Sequence, residues 1–157
     1  MPYALLKAVH LLAVVVWVGG MFFTLACLRP AFAQLDGPAR QRLMGEVLRR
    51  FFGIVNAAIG VLLVSGLWML WLAYRVAAKP GLAFNMPLDW YAMIVLGVVM
   101  FAIFGHVRAV AFKRLQRAVQ ARDAPAGAAA LNQIRRAVGV NLVLGAIVVV
   151  VMKLGAA

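Results

Sequence analysis

The amino-acid sequence predicts an all-α integral membrane four-helix bundle, built from two αα-hairpins as a single transmembrane domain over 1–157, with N and C termini periplasmic. Three observations lead there. The 157 residues are 66% hydrophobic and only 13% charged, far from a soluble domain's composition. Four apolar stretches, 3–28, 51–73, 89–112 and 137–154, each approach the roughly 20 residues that cross a hydrocarbon core about 30 Å thick. None shows the period-two alternation of barrel strands, so helices are the spanning structure.

The first stretch carries one early cation, Lys7, and Thr24-Leu25-Ala26-Cys27 resembles a lipoprotein cleavage site. Thr24 fits that site poorly, Arg29 and Pro30 follow at once, and three more spans come behind it. The stretch is therefore expected to be a retained helix, 3–28. The second helix is expected over 38–73. Asp36-Gly37-Pro38 supplies an N-cap and a first-turn proline, so the helix starts before the membrane. The third, 89–122, continues past its span, with Val110, Ala111, Leu115, Ala118 and Val119 on one side and Lys113, Arg114 and Arg117 on another. That amphipathic extension is expected to lie near anionic headgroups. The fourth, 126–154, repeats the opening signal as Asp123-Ala124-Pro125. One cysteine, Cys27, permits no intramolecular disulfide.

The net charge of +12 does not indicate nucleic acid, because the cations sit beside spans and report topology. Arg29, Arg40, Arg42, Arg49 and Arg50 lie between the first and second spans. Arg108, Lys113, Arg114, Arg117, Arg122, Arg135 and Arg136 lie at the end of the third or before the fourth. Only Lys7, Arg75, Lys79 and Lys153 belong to the opposite side. The positive-inside rule then makes the two basic hairpins cytoplasmic, with both termini and the 74–88 loop outside, in a multi-pass inner-membrane protein that is N-out and C-out. Trp68, Trp71, Tyr74, Trp90 and Tyr91 cluster at the outer interface as anchors. Gly19, Gly20, Gly60, Gly66, Gly97, Gly105 and Gly145 are positions where helix backbones can approach closely. Arg49-Arg50-Phe51-Phe52-Gly53 matches Arg135-Arg136-Ala137-Val138-Gly139, each followed within three residues by an asparagine, Asn56 or Asn141. The match points to a parallel repeat relating the two hairpins, although any two membrane-entering helices can acquire arginine pairs and glycines.

Polar side chains in hydrocarbon are costly and are the best functional pointers. At about 1.5 Å per residue, Thr24, Asn56, His106 and Asn141 each lie roughly 6–9 Å inside the cytoplasmic ends of their helices. One comes from every helix, so a polar intramembrane layer is expected there if the side chains point inward. Nearer the outside, His10 and Ser65 fall at similar depths and are expected to meet. Met69, Met93 and Met152 approach the same half. Thioether and imidazole suit Cu(I), or the axial positions of haem iron; the competing reading is methionine as packing or lipid-facing apolar bulk. His10 and His106 differ in depth by about 14 Å and do not share one iron. A haem at His10 would take a second ligand such as Met or Lys7. The acidic residues, Asp36, Asp89, Asp123 and Glu46, all lie in or beside loops. No phosphate-cradling glycine loop, zinc pattern or nucleophile elbow is present, so soluble-enzyme chemistry has no signal.

Leu6-Lys7-Ala8-Val9-His10-Leu11-Leu12, Val16-Trp17-Val18-Gly19-Gly20-Met21 and Leu28-Arg29-Pro30-Ala31 resemble the CopD-like family of bacterial copper-resistance membrane proteins. Phe104-Gly105-His106 and the Arg135-Arg136 to Asn141 stretch look like the same family's small four-helix members. The resemblance implies copper uptake or tolerance, His10 as the motif-matched ligand, and Lys7 and Trp17 as neighbouring cofactor-binding candidates. The Lys7 to His10 run and Trp17 also resemble, more distantly, the HemJ-type protoporphyrinogen oxidases that bind haem b. Where that pattern opens its third span with a histidine and a lysine, this chain has Asp89-Trp90-Tyr91-Ala92-Met93. Three readings follow. In the first, copper binds at His10 and the outer methionines and passes to an inner His106 layer, with a periplasmic copper partner or a second copy as companion. In the second, haem b sits at His10 or His106 in an oxidoreductase or electron carrier. The third is an assembly subunit of a larger membrane complex.

Overall fold

A computed structural model of the chain describes residues 2–77 and 86–154. Lys79 and most of the 74–88 loop lie outside the described residues. Four helices, each long and apolar enough to cross a membrane, make up nearly everything described, and no strand occurs among those residues. Helix α1 covers residues 2–32: an α-helix over Pro2–Phe23, a π-helical stretch over Thr24–Leu28 and a last α-turn over Arg29–Phe32. Helix α2 is Gly37–Ala77, 41 residues long. Helix α3 spans Leu88–Ala121, again with a π-helical stretch, over Val107–Ala111. Helix α4 is Ala124–Leu154. Helix α1 runs on to Phe32 through Pro30. The wider π-turn directly before Pro30 leaves room for a ring that would otherwise clash with the preceding turn.

Both expected caps form. The Asp36 carboxylate accepts the Ala39 N–H at 2.7 Å, and Asp123 accepts that of Ala126 at 2.9 Å, each satisfying an orphan donor of the first turn. Between α3 and α4 the chain turns at Arg122, which is left-handed at φ 56°. The Asp123 N–H returns to the Ala118 carbonyl at 2.9 Å, closing a Schellman turn. On α2, before its apolar stretch, Arg49 and Arg50 both donate to Glu46. Those bonds hold the Glu46 carboxyl down at about 2.

Sequential helices pack most extensively, α1 against α2 and α3 against α4, so the bundle is two αα-hairpins side by side. The repeat predicted from the arginine pairs reappears in the burial pattern. Shifted by the 86 residues that separate Arg49 from Arg135, the buried positions Gln41, Met44, Leu48, Phe52 and Val55 fall on Gly127, Ala130, Ile134, Val138 and Asn141, also buried. Aromatic rings join the hairpins. Trp17 stacks on Phe101 at 5.5 Å and meets Phe104 edge-on at 6.2 Å, while Phe52 meets Phe104 and Phe112 edge-on at 5.6 and 5.1 Å. Each such pair is worth about 0.5–1.5 kcal/mol beyond burial.

Of the seven glycines singled out, three are close approaches. A Cβ on Gly145 would stand 2.9 Å from Val18, on Gly20 2.6 Å from the Phe51 ring, and on Gly66 3.4 Å from His10. Gly19, Gly60, Gly97 and Gly105 face open space. Gly127, near the start of α4, belongs with the first group, lying under Gln41, whose amide donates to the Ala124 carbonyl at 2.7 Å. The apolar side of the amphipathic end of α3 packs inside the bundle. Phe112, Leu115 and Ala118 are buried, in a segment packed along α4 and α2, because the partner helices extend equally far and offer a drier surface.

The core is not centred in the bundle. Among the described residues none is buried before Ala13 on α1, after Ser65 on α2, before Met100 on α3 or after Gly145 on α4. Roughly the outer 15 Å of each helix therefore lacks fully covered side chains, and the packed core begins at the level of His10 and Ser65. Outside, the bundle is apolar: Trp68, Trp71, Tyr74 and Tyr91 are all at least half exposed, and the Arg75 guanidinium sits 4.9 Å over the Trp71 ring. The protein is a multi-pass membrane protein whose apolar helix faces suit lipid contact.

Candidate functional site

His10 and Ser65 meet, as their depths predict: His10 Nδ1 lies 2.9 Å from Ser65 Oγ. Ser65 is buried and donates its hydroxyl proton back to the Val61 carbonyl, one turn earlier on α2. A serine has one proton to give. With it committed to Val61, the Ser65 oxygen accepts from His10, so Nδ1 carries the proton and Nε2 keeps its lone pair. An imidazole whose second nitrogen is fixed by a hydrogen bond is the usual form of a metal-ligating histidine. Gly66 leaves space beside the ring, since any larger residue would bring a Cβ to 3.4 Å from His10 Cε1.

The other outer candidates lie toward the same end of the bundle by helix register. Lys7 is one turn outward of His10 and exposed; Met69 is one turn outward of Ser65 and half-buried. Met93, half-buried, lies two turns outward of buried Met100 on the same stripe of α3. Met152 is also half-buried. Trp17, two turns inward of His10, is 3% exposed and forms the floor of the aromatic cluster. Among the described residues, no three His, Cys, Asp or Glu side chains gather into a metal-holding group. A metal site here would rest on imidazole and thioether.

The inner polar layer is only half assembled. Thr24 is buried, with its hydroxyl donating to the Gly20 carbonyl at 2.8 Å. Asn141 is buried, with Nδ2 donating to the Met100 carbonyl at 3.1 Å, and its Oδ1 has no partner. Asn56 and His106, expected in the same layer, are exposed on the outer faces of α2 and α3. Their side chains are turned out of the bundle. Asn56 follows the repeated glycine by three residues and Asn141 by two, and one residue turns a helical side chain by about 100°. In the 86-residue register Asn141 corresponds to buried Val55, so Asn56 is turned away. Two methionines that composition alone did not distinguish are buried at the centre: Met21 at 1% exposure and Met100 at 4%. The signal for Met21 was its place in the stripe Ala13, Trp17, Met21, Thr24, which is buried throughout.

No curated protein and no solved structure matches the chain. The family model described as copper resistance protein D matches residues 45–154, from the arginine pair of α2 through the end of α4, which is more than half of the sequence. With that match and the four spanning helices, the chain belongs to the CopD, or copper resistance protein D, family.

Proposed function

We propose that this protein binds copper as cargo at its outer half and passes it across the bacterial inner membrane, in uptake or tolerance. His10 Nε2 is the first protein ligand, and Met69 and Met93 supply thioether to the same mouth. The observation that carries the reading is the His10–Ser65 hydrogen bond, which leaves one imidazole lone pair free where the packed core begins. Imidazole and thioether favour Cu(I) among the abundant biological cations. The segregation of Arg and Lys onto two hairpins supports an N-out, C-out orientation with anionic headgroups around the cytoplasmic ends. In that orientation His10 opens to the periplasm, where a copper-carrying partner would deliver. Asn56 and His106, polar groups presented outward at hydrocarbon depth, support a second copy of the chain as neighbour. The cavity lined by Trp17, Met21, Phe52 and Asn141 at the bundle centre is about 10 Å³, far below a porphyrin's volume.

The test is Cu(I) titration of the purified protein in mild detergent against a chromophoric chelator. Wild type is expected to compete, and His10→Ala to lose the outer equivalent. Ser65→Ala keeps the ligand but frees its ring, and is expected to weaken binding about 10- to 100-fold. Wild-type protein that takes up no Cu(I), or His10→Ala binding as tightly as wild type, overturns the proposal.

A further inference from the structure

We infer that the groove between the end of α3 and the start of α4 binds the phosphate headgroup of an anionic phospholipid through Arg114, Arg117 and Gln133; this is independent of the copper reading. Three observations converge. The groove is open, holds about 440 Å³, and is lined by the two guanidiniums, by Gln133 and otherwise mostly by alanines, among them Ala118, Ala126 and Ala129. Side chains this short on both helices leave a hollow where longer ones would interdigitate. Neither arginine is paired with a carboxylate among the described residues; Arg114 makes a long bond, 3.4 Å, to Gln133 Oε1. Depth is the third observation. The apolar stretch of α3 ends at 112 and that of α4 begins at 137. At about 1.5 Å per residue, Arg114, Arg117 and Gln133 stand roughly 3, 8 and 6 Å beyond those limits. That is the headgroup layer, about 5–8 Å deep on each side of the hydrocarbon.

The chemistry of the lining selects the occupant. Guanidinium forks match phosphate oxygens with paired N–H donors, and basic pockets between membrane helices are a recurring seat for phosphorylated headgroups. A zwitterionic lipid would bring an ammonium as well, which needs a carboxylate. The groove's one carboxylate, Asp123, lies about 20 Å beyond the apolar stretch of α4 and already accepts the Ala126 N–H. An anionic headgroup leaves no such charge unmatched. Arg136, three residues on from Gln133 along the same stripe of α4, adds a third cation at the edge of the hydrocarbon. A lipid seated here bridges α3 and α4 beside their Schellman turn and ties this end of the bundle to its leaflet.

Lipid titration read by native mass spectrometry tests it. The full chain, delipidated in dodecyl maltoside, is titrated with phosphatidylglycerol and separately with phosphatidylethanolamine, and inorganic phosphate is then added as competitor. Wild type is expected to take one phosphatidylglycerol in preference to phosphatidylethanolamine, and free phosphate is expected not to displace it. Arg114→Gln combined with Arg117→Gln is expected to weaken that first equivalent about 30-fold, roughly fivefold per cation. Arg40→Gln combined with Arg42→Gln removes the same charge roughly 13–17 Å from the apolar stretch of α2, beyond the headgroup layer, and is expected to bind like wild type. Ala129→Phe keeps every charge and fills the groove from an exposed position, so it is expected to lose the lipid while the helices still pack. The test therefore does not rest on one variant. Equal affinity for the two lipids, equal loss in the two arginine pairs, or Ala129→Phe binding like wild type overturns the site. Displacement by inorganic phosphate overturns the lipid as its occupant.

Discussion

Gly145 is a close approach of α4 to α1, and adding one methyl group there measures how tightly the two hairpins are locked. A Cβ at this position would stand 2.9 Å from Val18 Cγ2 and 3.3 Å from Met100 Cε, inside the 3.5–4.0 Å of an ordinary carbon contact. The Met100 end can swing away. Val18, β-branched and helical, has essentially one comfortable rotamer, so the helices must separate by some tenths of an ångström. Overpacking of this kind costs about 1–3 kcal/mol, roughly 5- to 150-fold in the unfolding equilibrium. Gly→Ala also gains up to about 1 kcal/mol of helix propensity, so the control is Gly60→Ala, whose Cβ would meet nothing within 4 Å. Titration of folded protein in dodecyl maltoside with sodium dodecyl sulfate, followed by circular dichroism, is expected to rank Gly145→Ala below wild type and Gly60→Ala level with it or above. In the double variant with Val18→Ala, the loss is expected to be smaller than the two single losses combined, by about 1 kcal/mol. Equal behaviour of the two glycine variants, or strict additivity with Val18→Ala, would refute the close approach.

The caps and the Glu46 ion pairs give two more expectations. Asp36→Ala and Asp123→Ala each remove a carboxylate from the first turn of a long helix and are expected to cost about 1 kcal/mol apiece in the same unfolding assay; no loss at either would show the cap to be idle. Glu46 is held at about 2, below its ordinary 4.5. Its ion pairs thus contribute fully above pH 4.5 and are lost as pH falls through about 2. Carbon-13 titration of the Glu46 carboxyl should give that low midpoint, and Arg49→Ala should move it up toward 4.5; an unmoved midpoint contradicts the pairing.

The spans and the points where helices begin were legible in the sequence because both are set by local chemistry. Hydropathy marks any segment that must lie in lipid, and Asp36 and Asp123 mark their helix starts whatever packs against them. The meeting of His10 with Ser65 was legible as well, since depth along two antiparallel helices follows from counting residues. Rotation about the helix axis was not. In a soluble bundle the polar face announces the core direction, but here the lipid side is as apolar as the interior, and Asn56, His106 and Asn141 look alike. Only the fold distinguishes them. The same degeneracy hid Met21 and Met100 among eight methionines.

The π-helical stretches at Thr24–Leu28 and Val107–Ala111 bear on how such a chain can change length over evolutionary time. A π-turn holds one residue more than an α-turn at nearly the same height. Gaining or losing a single codon elsewhere in α1 or α3 would rotate every later side chain by about 100°, turning Trp17 or Phe104 to lipid. Within these two stretches a deletion can be absorbed by tightening the turn, and only the short helix ends beyond it are re-aimed. Length variation among relatives should therefore collect at these two places in the first and third helices, and alignments that spread gaps evenly along the spans would misplace the buried stripe.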